Sequence, residues 1–322
     1  MTQLRIIGLV VALFVVALSW IATCAAWQFD EVAAGFLPLP TRSFERFTLI
    51  TLGTGGAYEN PNRRGPATAL AMGKRIWLVD AGRGVSDALR AAAIPVSQPS
   101  RVLLTSLLPE NVVGLGDLLS VSWLEGRRQP IRLMGPPGTR ALARAVEATV
   151  GPGLRARSRA LDLPLGAVGF EVQEIDGSWT EQEDGLQVSA GELAGGPLPA
   201  LAYRAEWRGR SAVISGNGWA ENALVEFARG AHTLVHEATF VPTPEQAAAA
   251  EIDEDPEHLR REAAFHTTLH AVGGLAARAG VDQLVLVRLR PPPVYDLQVT
   301  QIVGEDYSGE IVIPEDGDEI KP

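Results

Sequence analysis

Two hydrophobic rhythms run along the chain. Residues Ile6–Trp27 form one uncharged stretch of 22, with Arg5 before it and Asp30 and Glu31 after it. As a helix rising about 1.5 Å per residue, it is long enough for a hydrocarbon core of about 30 Å, with the Arg5 flank retained inside. The small residues Ala22–Ala26 fit a cleaved export signal equally well. Beyond Phe36–Ser43, a linker carrying Pro38 and Pro40, short apolar runs alternate with segments of helical period.

The pattern predicts strands at Phe47–Leu52, Ala67–Met72, Arg75–Val79, Arg101–Thr105, Ile131–Met134, Phe170–Ile175, Leu186–Ala190, Ala202–Trp207, Ser211–Ser215, Thr233–His236 and Gln283–Val287. It predicts helices at Gly84–Ala93, Gly114–Trp123, Thr139–Thr149, Asn222–Ala228 and Thr268–Arg278, and a helical flap within Pro242–Phe265. This alternation favours a layered α/β domain over an all-β sandwich. The organisation expected is a signal or anchor over 1–27, a linker over 28–46, one domain over 47–314 and an acidic tail over 315–322.

Composition narrows the chemistry. The 322 residues carry 28 Lys+Arg against 38 Asp+Glu, a net charge of −10, and the only lysines are Lys74 and Lys321. With no basic block, the balance argues against nucleic acid as a partner. The single cysteine, Cys24, excludes an intrachain disulfide, a cysteine-based zinc site and a CxxC pair. The five histidines all lie beyond Ala231, so the first two thirds of the chain offers no imidazole ligand.

The turn Gly53-Thr54-Gly55-Gly56 follows a strand, as a phosphate-cradling loop does. A dinucleotide loop opens directly into a helix, whereas Tyr58–Pro66 has two prolines and no helical period, so a turn of close backbone approach is the better reading. That turn is the first of an ordered series. Asn60-Pro61-Asn62-Arg63-Arg64-Gly65-Pro66, Val79-Asp80-Ala81-Gly82, Gly135-Pro136-Pro137-Gly138, Ile214-Ser215-Gly216-Asn217, His236-Glu237-Ala238-Thr239, His266-Thr267-Thr268 and Ala279-Gly280-Val281 follow it. From Phe47 to Pro314 the series resembles the metallo-β-lactamase superfamily, in the branch of ribonuclease Z and related arylsulfatases and phosphodiesterases. The resemblance implies a four-layer αβ/βα sandwich with its site at one edge of two sheets.

It also implies two zinc ions that turn a bridging water into hydroxide, held by imidazoles and carboxylates. Here those ligand positions fall on Ser106, Leu108, Glu110, Asn111, Gly195, Asn217 and Arg288. Leucine cannot ligate, arginine does not deprotonate, and Glu110 is the one plausible anionic ligand. Asp80, Glu237 and His266 match retained pocket residues, with His266 on the position the family uses near the leaving group. His266 and His270, four apart, form only a weak metal signal. The family's tRNA-gripping arm would fall between Tyr203-Arg204 and Ser211, where a tight hairpin stands instead.

The expectation is therefore an exported, periplasmic or membrane-anchored pseudoenzyme, without metal or other cofactor and without nucleic acid. It would bind an unknown small molecule or protein and touch the membrane through residues 6–27. The alternative is an active hydrolase of ester, phosphodiester or sulfate-ester bonds with an atypical metal site. Arg288 is expected to turn inward and pair with Glu110 or, failing that, Asp80.

Overall fold

The computed structural model describes residues 2–34, 39–57, 60, 62–193, 198–218, 221–240, 242, 244–249, 255–290 and 296–322. The chain divides into two compact units, Met1–Leu39 and Pro40–Pro322. The first unit holds α1 (Thr2–Ala34). Among the described residues no helix is long and apolar enough to cross a membrane, so the expected span through residues 6–27 is corrected. Within α1 the Ser19 and Thr23 hydroxyls each donate to the carbonyl four residues back.

The second unit begins with β1 (Phe44–Gly53), β2 (Ala67–Gly73), β3 (Arg75–Val79), α2 (Val85–Ala91), β4 (Arg101–Leu103), α3 (Pro109–Val112), α4 (Leu115–Leu124), β5 (Ile131–Gly135), α5 (Thr139–Leu161) and β6 (Phe170–Glu174). Its second half runs β7 (Trp179–Glu183), β8 (Leu186–Glu192), β9 (Leu201–Trp207), β10 (Arg210–Ile214), α6 (Glu221–Ala228), β11 (Thr233–Thr239), α7 (Pro244–Ala249), α8 (Pro256–Phe265), α9 (Leu269–Ala279), β12 (Gln283–Arg290), α10 (Asp296–Gly304), β13 (Glu310–Val312) and β14 (Glu319–Ile320).

Two sheets result, ordered β14-β1-β2-β3-β4-β5-β6 and β13-β12-β11-β10-β9-β8-β7. Each joins an antiparallel part to a parallel one: β3 to β6 are parallel in the first, β10 to β13 in the second. The strands read as continuous apolar runs because both faces are covered. In β3, Ile76 and Leu78 face the helices α2 and α4, while Trp77 and Val79 face the other sheet. In β12, Leu284 and Leu286 pack under α9, and Val285 and Val287 point between the sheets. One period-2 alternation thus feeds two cores at once, each fully buried Leu, Ile or Val contributing roughly 1.5–3 kcal/mol. The arrangement is the four-layer αβ/βα sandwich.

Three boundaries move. β1 starts at Phe44, because Phe44 is buried against the α2 side, so the linker is shorter than 28–46; its residues 35–38 lie outside the described residues. The segment 315–322 is no free tail. Glu319 and Ile320 pair with β1, and Asp316 accepts from the Thr54 N–H at 2.8 Å and the Arg64 N–H at 2.6 Å. Helix α5 runs through Pro152 to Leu161, because Leu154 packs with Trp123 and Ala167 and tertiary contact overrides the Gly-Pro-Gly breaker.

The Gly53–Gly56 turn is a close approach. A Cβ on Gly53 would sit 1.9 Å from the Gly65 carbonyl oxygen, which is why no side chain is tolerated there.

Candidate functional site

The carboxyl ends of the parallel strands open on one edge, where loops after β3, β4, β10, β11 and β12 converge, as ligand sites of open α/β sheets do. Asp80 follows β3 in a left-handed conformation (φ 62°), and Arg288, inside β12, takes one as well (φ 57°). Aspartate tolerates this region; arginine does so at a cost, so the chain holds both side chains inward by strained backbone.

Their side chains meet. The Arg288 Nη2–H donates to Asp80 Oδ2 at 2.8 Å, with side-chain exposures of 7% and 2%. Arg288 Nη1–H also donates to Asn217 Oδ1 at 3.3 Å. Of the two partners expected for Arg288, the structure pairs it with Asp80 and not Glu110. Thr105 closes the other side of Asp80, its N–H donating to Oδ1 at 2.8 Å and its hydroxyl to Oδ2 at 2.8 Å. Burial pushes the Asp80 carboxyl up to about 6, with Arg288 and the Thr105 bonds opposing the rise. At neutral pH it stays an anion paired with a buried cation.

Asn111, on α3, donates its amide to Ser106 Oγ at 2.9 Å and Thr105 Oγ1 at 3.2 Å, while its own Oδ1 is buried with no hydrogen-bond partner. Ser106 is fully buried and accepts from the Leu108 N–H at 3.3 Å. Leu108 precedes α3 in extended conformation and is half-buried. Gly195 lies outside the described residues.

A second cluster flanks the first. The buried Glu237 carboxylate accepts from the Gly218 N–H at 2.7 Å and lies 2.9 Å from His266 Nδ1. Burial pushes Glu237 up, but the hydrogen bond and charge of His266, aided by Arg288, outweigh it and leave the carboxyl below its usual range. His236 is wholly buried between Ser215 Oγ and, at 2.8 Å, Thr267 Oγ1. Burial lowers its pKa to about 4, so the ring is neutral.

Glu110, Asn217, Glu237, His266 and Arg288 line one cleft enclosing about 650 Å³ of empty space, part of it open to solvent. Asp80, Ser106 and Asn111 lie beneath it, joined through Thr105. The bonding role of Thr105, which ends the predicted strand Arg101–Thr105, was not foreseen from the sequence, nor were the cleft residues Arg63 and Arg290. Arg63 reaches Thr54 Oγ1 at 2.7 Å and the Pro314 carbonyl at 2.9 Å. Its position in the Asn60–Pro66 motif was the only available signal.

A two-zinc centre does not fit these side chains. Among the described residues no group of three or more His, Cys, Asp or Glu could hold a metal ion. The Arg288 guanidinium is bonded to Asp80, and Asn111 turns N–H donors toward Ser106 and Thr105. A single neutral acceptor, Asn111 Oδ1, is no substitute for a deprotonated ligand set.

Fold and site together define a metallo-β-lactamase-fold protein. The metallo-beta-lactamase fold protein YhfI from Bacillus subtilis superposes with a TM-score of 0.64 at 16% identity, over 86% of this chain and 99% of that one. The short form of human tRNase Z superposes with a TM-score of 0.61 at 22% identity, over 85% and 98%. In sequence, the chain is 30% identical over 281 residues to the Ribonuclease Z of Mycolicibacterium paratuberculosis, covering 82% of this chain and 94% of the relative. No family model matches the chain. The chain belongs to the ribonuclease Z family of that fold. This overturns the expectation, drawn from its acidic charge, that nucleic acid is excluded: net charge is a whole-chain sum and does not report on a local cleft whose lining includes Arg63, Arg288 and Arg290.

Proposed function

We propose that this ribonuclease Z-family chain has exchanged two-metal hydrolysis for binding, and acts as a catalytically inactive homologue. The observation that carries the reading is the Arg288–Asp80 pair, which occupies the floor of the cleft and leaves it lined by cationic and neutral groups beside Glu110 and Glu237. The relatives' name brings ribonucleic acid to this cleft as the ligand class. Arg63 and Arg288 supply donors for phosphate oxygens, and the Glu237–His266 pair supplies a hydrogen-bonding wall. Export through the N-terminal segment belongs to the same proposal; N-terminal sequencing of protein from separated compartments tests it.

A second reading, an active hydrolase of ester, phosphodiester or sulfate-ester bonds, is favoured by the name of the relatives and by the intact Glu237–His266 pair. The deciding experiment incubates the protein with single-stranded RNA and with bis(4-nitrophenyl) phosphate, in added zinc and in added manganese. Saturable RNA binding without turnover is the result expected. Turnover that follows metal concentration would establish the second reading and sink the first.

A further inference from the structure

At the edge opposite the cleft, the amino-terminal ends of β1, β3 and β10 gather cations that the site does not use. One cavity, of about 800 Å³ with its open part included, is lined by Arg46, Arg208, Arg210 and Lys321, with the Glu45 carboxylate and the Pro322 oxygen, which accepts from the Arg210 Nε–H, as the acceptors on its wall. An adjoining cavity shares Trp207 and Arg208 with the first and adds Lys74 and Arg75. Both lysines of a chain with net charge −10 therefore stand on this one surface. Arg75 is paired with Asp184. Arg46, Lys74, Arg208 and Lys321 are exposed and form no ion pair among the described residues.

The backbone gives an independent reason to treat the cluster as selected. Arg208 occupies the turn between β9 and β10 with φ 49°, followed by Gly209 at φ 76°. Such a two-residue turn favours Asn, Asp or Gly at its first position, and arginine there is strained. An observed outlier of this kind points to a demand on the side chain. The Arg208 guanidinium lies 4.2 Å from the Trp207 ring centroid, which fixes its direction. Beneath the cations, Trp207 and Phe47 are 7% and 4% exposed, so the surface offers neither an apolar wedge for a lipid bilayer nor an exposed aromatic anchor for a protein partner. What remains is recognition of closely spaced negative charge.

We propose that this edge is a binding site for a linear run of phosphate groups, held by Arg46, Arg208, Arg210 and Lys321 with Lys74 extending the track. The run has two chemical sources, a free polyphosphate and a nucleic-acid backbone. The proposal is independent of what the cleft does.

The test is calorimetric titration of the full chain with inorganic tripolyphosphate, at about 50 and about 200 mM salt, a range over which multi-phosphate contacts weaken steeply. A single-stranded oligoribonucleotide and a polyglutamate peptide run in parallel. Binding is expected to weaken at least tenfold in Arg208→Glu/Arg210→Glu and to tighten in Glu45→Gln. Should the hairpin variant fold poorly, Lys74→Glu/Lys321→Glu carries the same expectation with the hairpin untouched. Tripolyphosphate that displaces the oligoribonucleotide supports the site; an oligoribonucleotide that tripolyphosphate does not displace from this surface overturns it. So do an absence of tripolyphosphate binding at low salt, equal binding by both charge-reversed variants, or polyglutamate binding as tight as tripolyphosphate.

Discussion

Replacing Arg288 by methionine removes the guanidinium while keeping an unbranched stem of similar length. Asp80, 2% exposed, then loses its only cation and keeps only the two Thr105 bonds. Breaking a buried pair by removing one partner costs about 3–5 kcal/mol, because the other charge stays in a poor solvent. The surviving Thr105 bonds, and the option of taking up a proton from a pKa already near 6, hold the loss to about 3 kcal/mol. In a unit of this size, roughly 2–4 °C per kcal/mol gives a fall of about 6–12 °C in Tm. Removing the other partner as well, in Arg288→Met/Asp80→Asn, should recover most of that loss, since an uncharged pair leaves no stranded ion. Urea unfolding of the wild type, both single variants and the double at pH 7 supplies the cycle. A loss under about 1 kcal/mol in Arg288→Met, or strict additivity in the double variant, would show that the pair does not hold the floor of the cleft.

Arg288→His is expected to stay metal-free in zinc equilibrium dialysis, since one imidazole beside Asp80 is too small a ligand set; a stoichiometric ion in that variant would reverse this. His236 and Asp80 should tilt stability with pH in opposite senses. The His236 pKa falls from 6.5 to about 4 on folding, so its contribution is present above 6.5 and lost as pH falls toward 4. The Asp80 pKa rises from 3.8 to about 6, so its contribution is full below 3.8 and lost as pH rises through 6. Chemical unfolding from pH 4 to 7 should therefore show His236→Asn gaining relative stability on acidification and Asp80→Asn losing it; parallel profiles would contradict both assignments. Gly82→Ala should express poorly or unfold at much lower denaturant, because its Cβ would lie 2.5 Å from the Gly65 carbonyl carbon and 2.7 Å from the Glu110 carbonyl oxygen; a wild-type midpoint would show that the loops around Asp80 can yield.

The core was legible because strands covered on both faces leave an unmistakable apolar run, as in β3 and β12, and because turns such as Asp80-Ala81-Gly82 need small residues where backbones touch. What escaped was made by tertiary partners. Strand β7 is glutamate-rich and half exposed, and its sheet position rests on pairing with β8. Strand β14 is two residues long in an acidic stretch, visible only against β1. The positions around the cleft could be placed in order along the chain. The choice of Asp80 over Glu110 by Arg288 depends on a left-handed turn in β12 that no periodicity reports.

The proposed function places Arg288 and Asp80 where a metal-dependent relative would hold its ions. Metal content by plasma mass spectrometry, on protein purified without chelators and then dialysed against zinc and manganese, tests it most directly. Far less than one ion per chain is expected under every condition, with unchanged Tm on adding a chelator. Retention of about two ions per chain, the number the metal-dependent mechanism uses, together with a chelator-sensitive Tm, would contradict it.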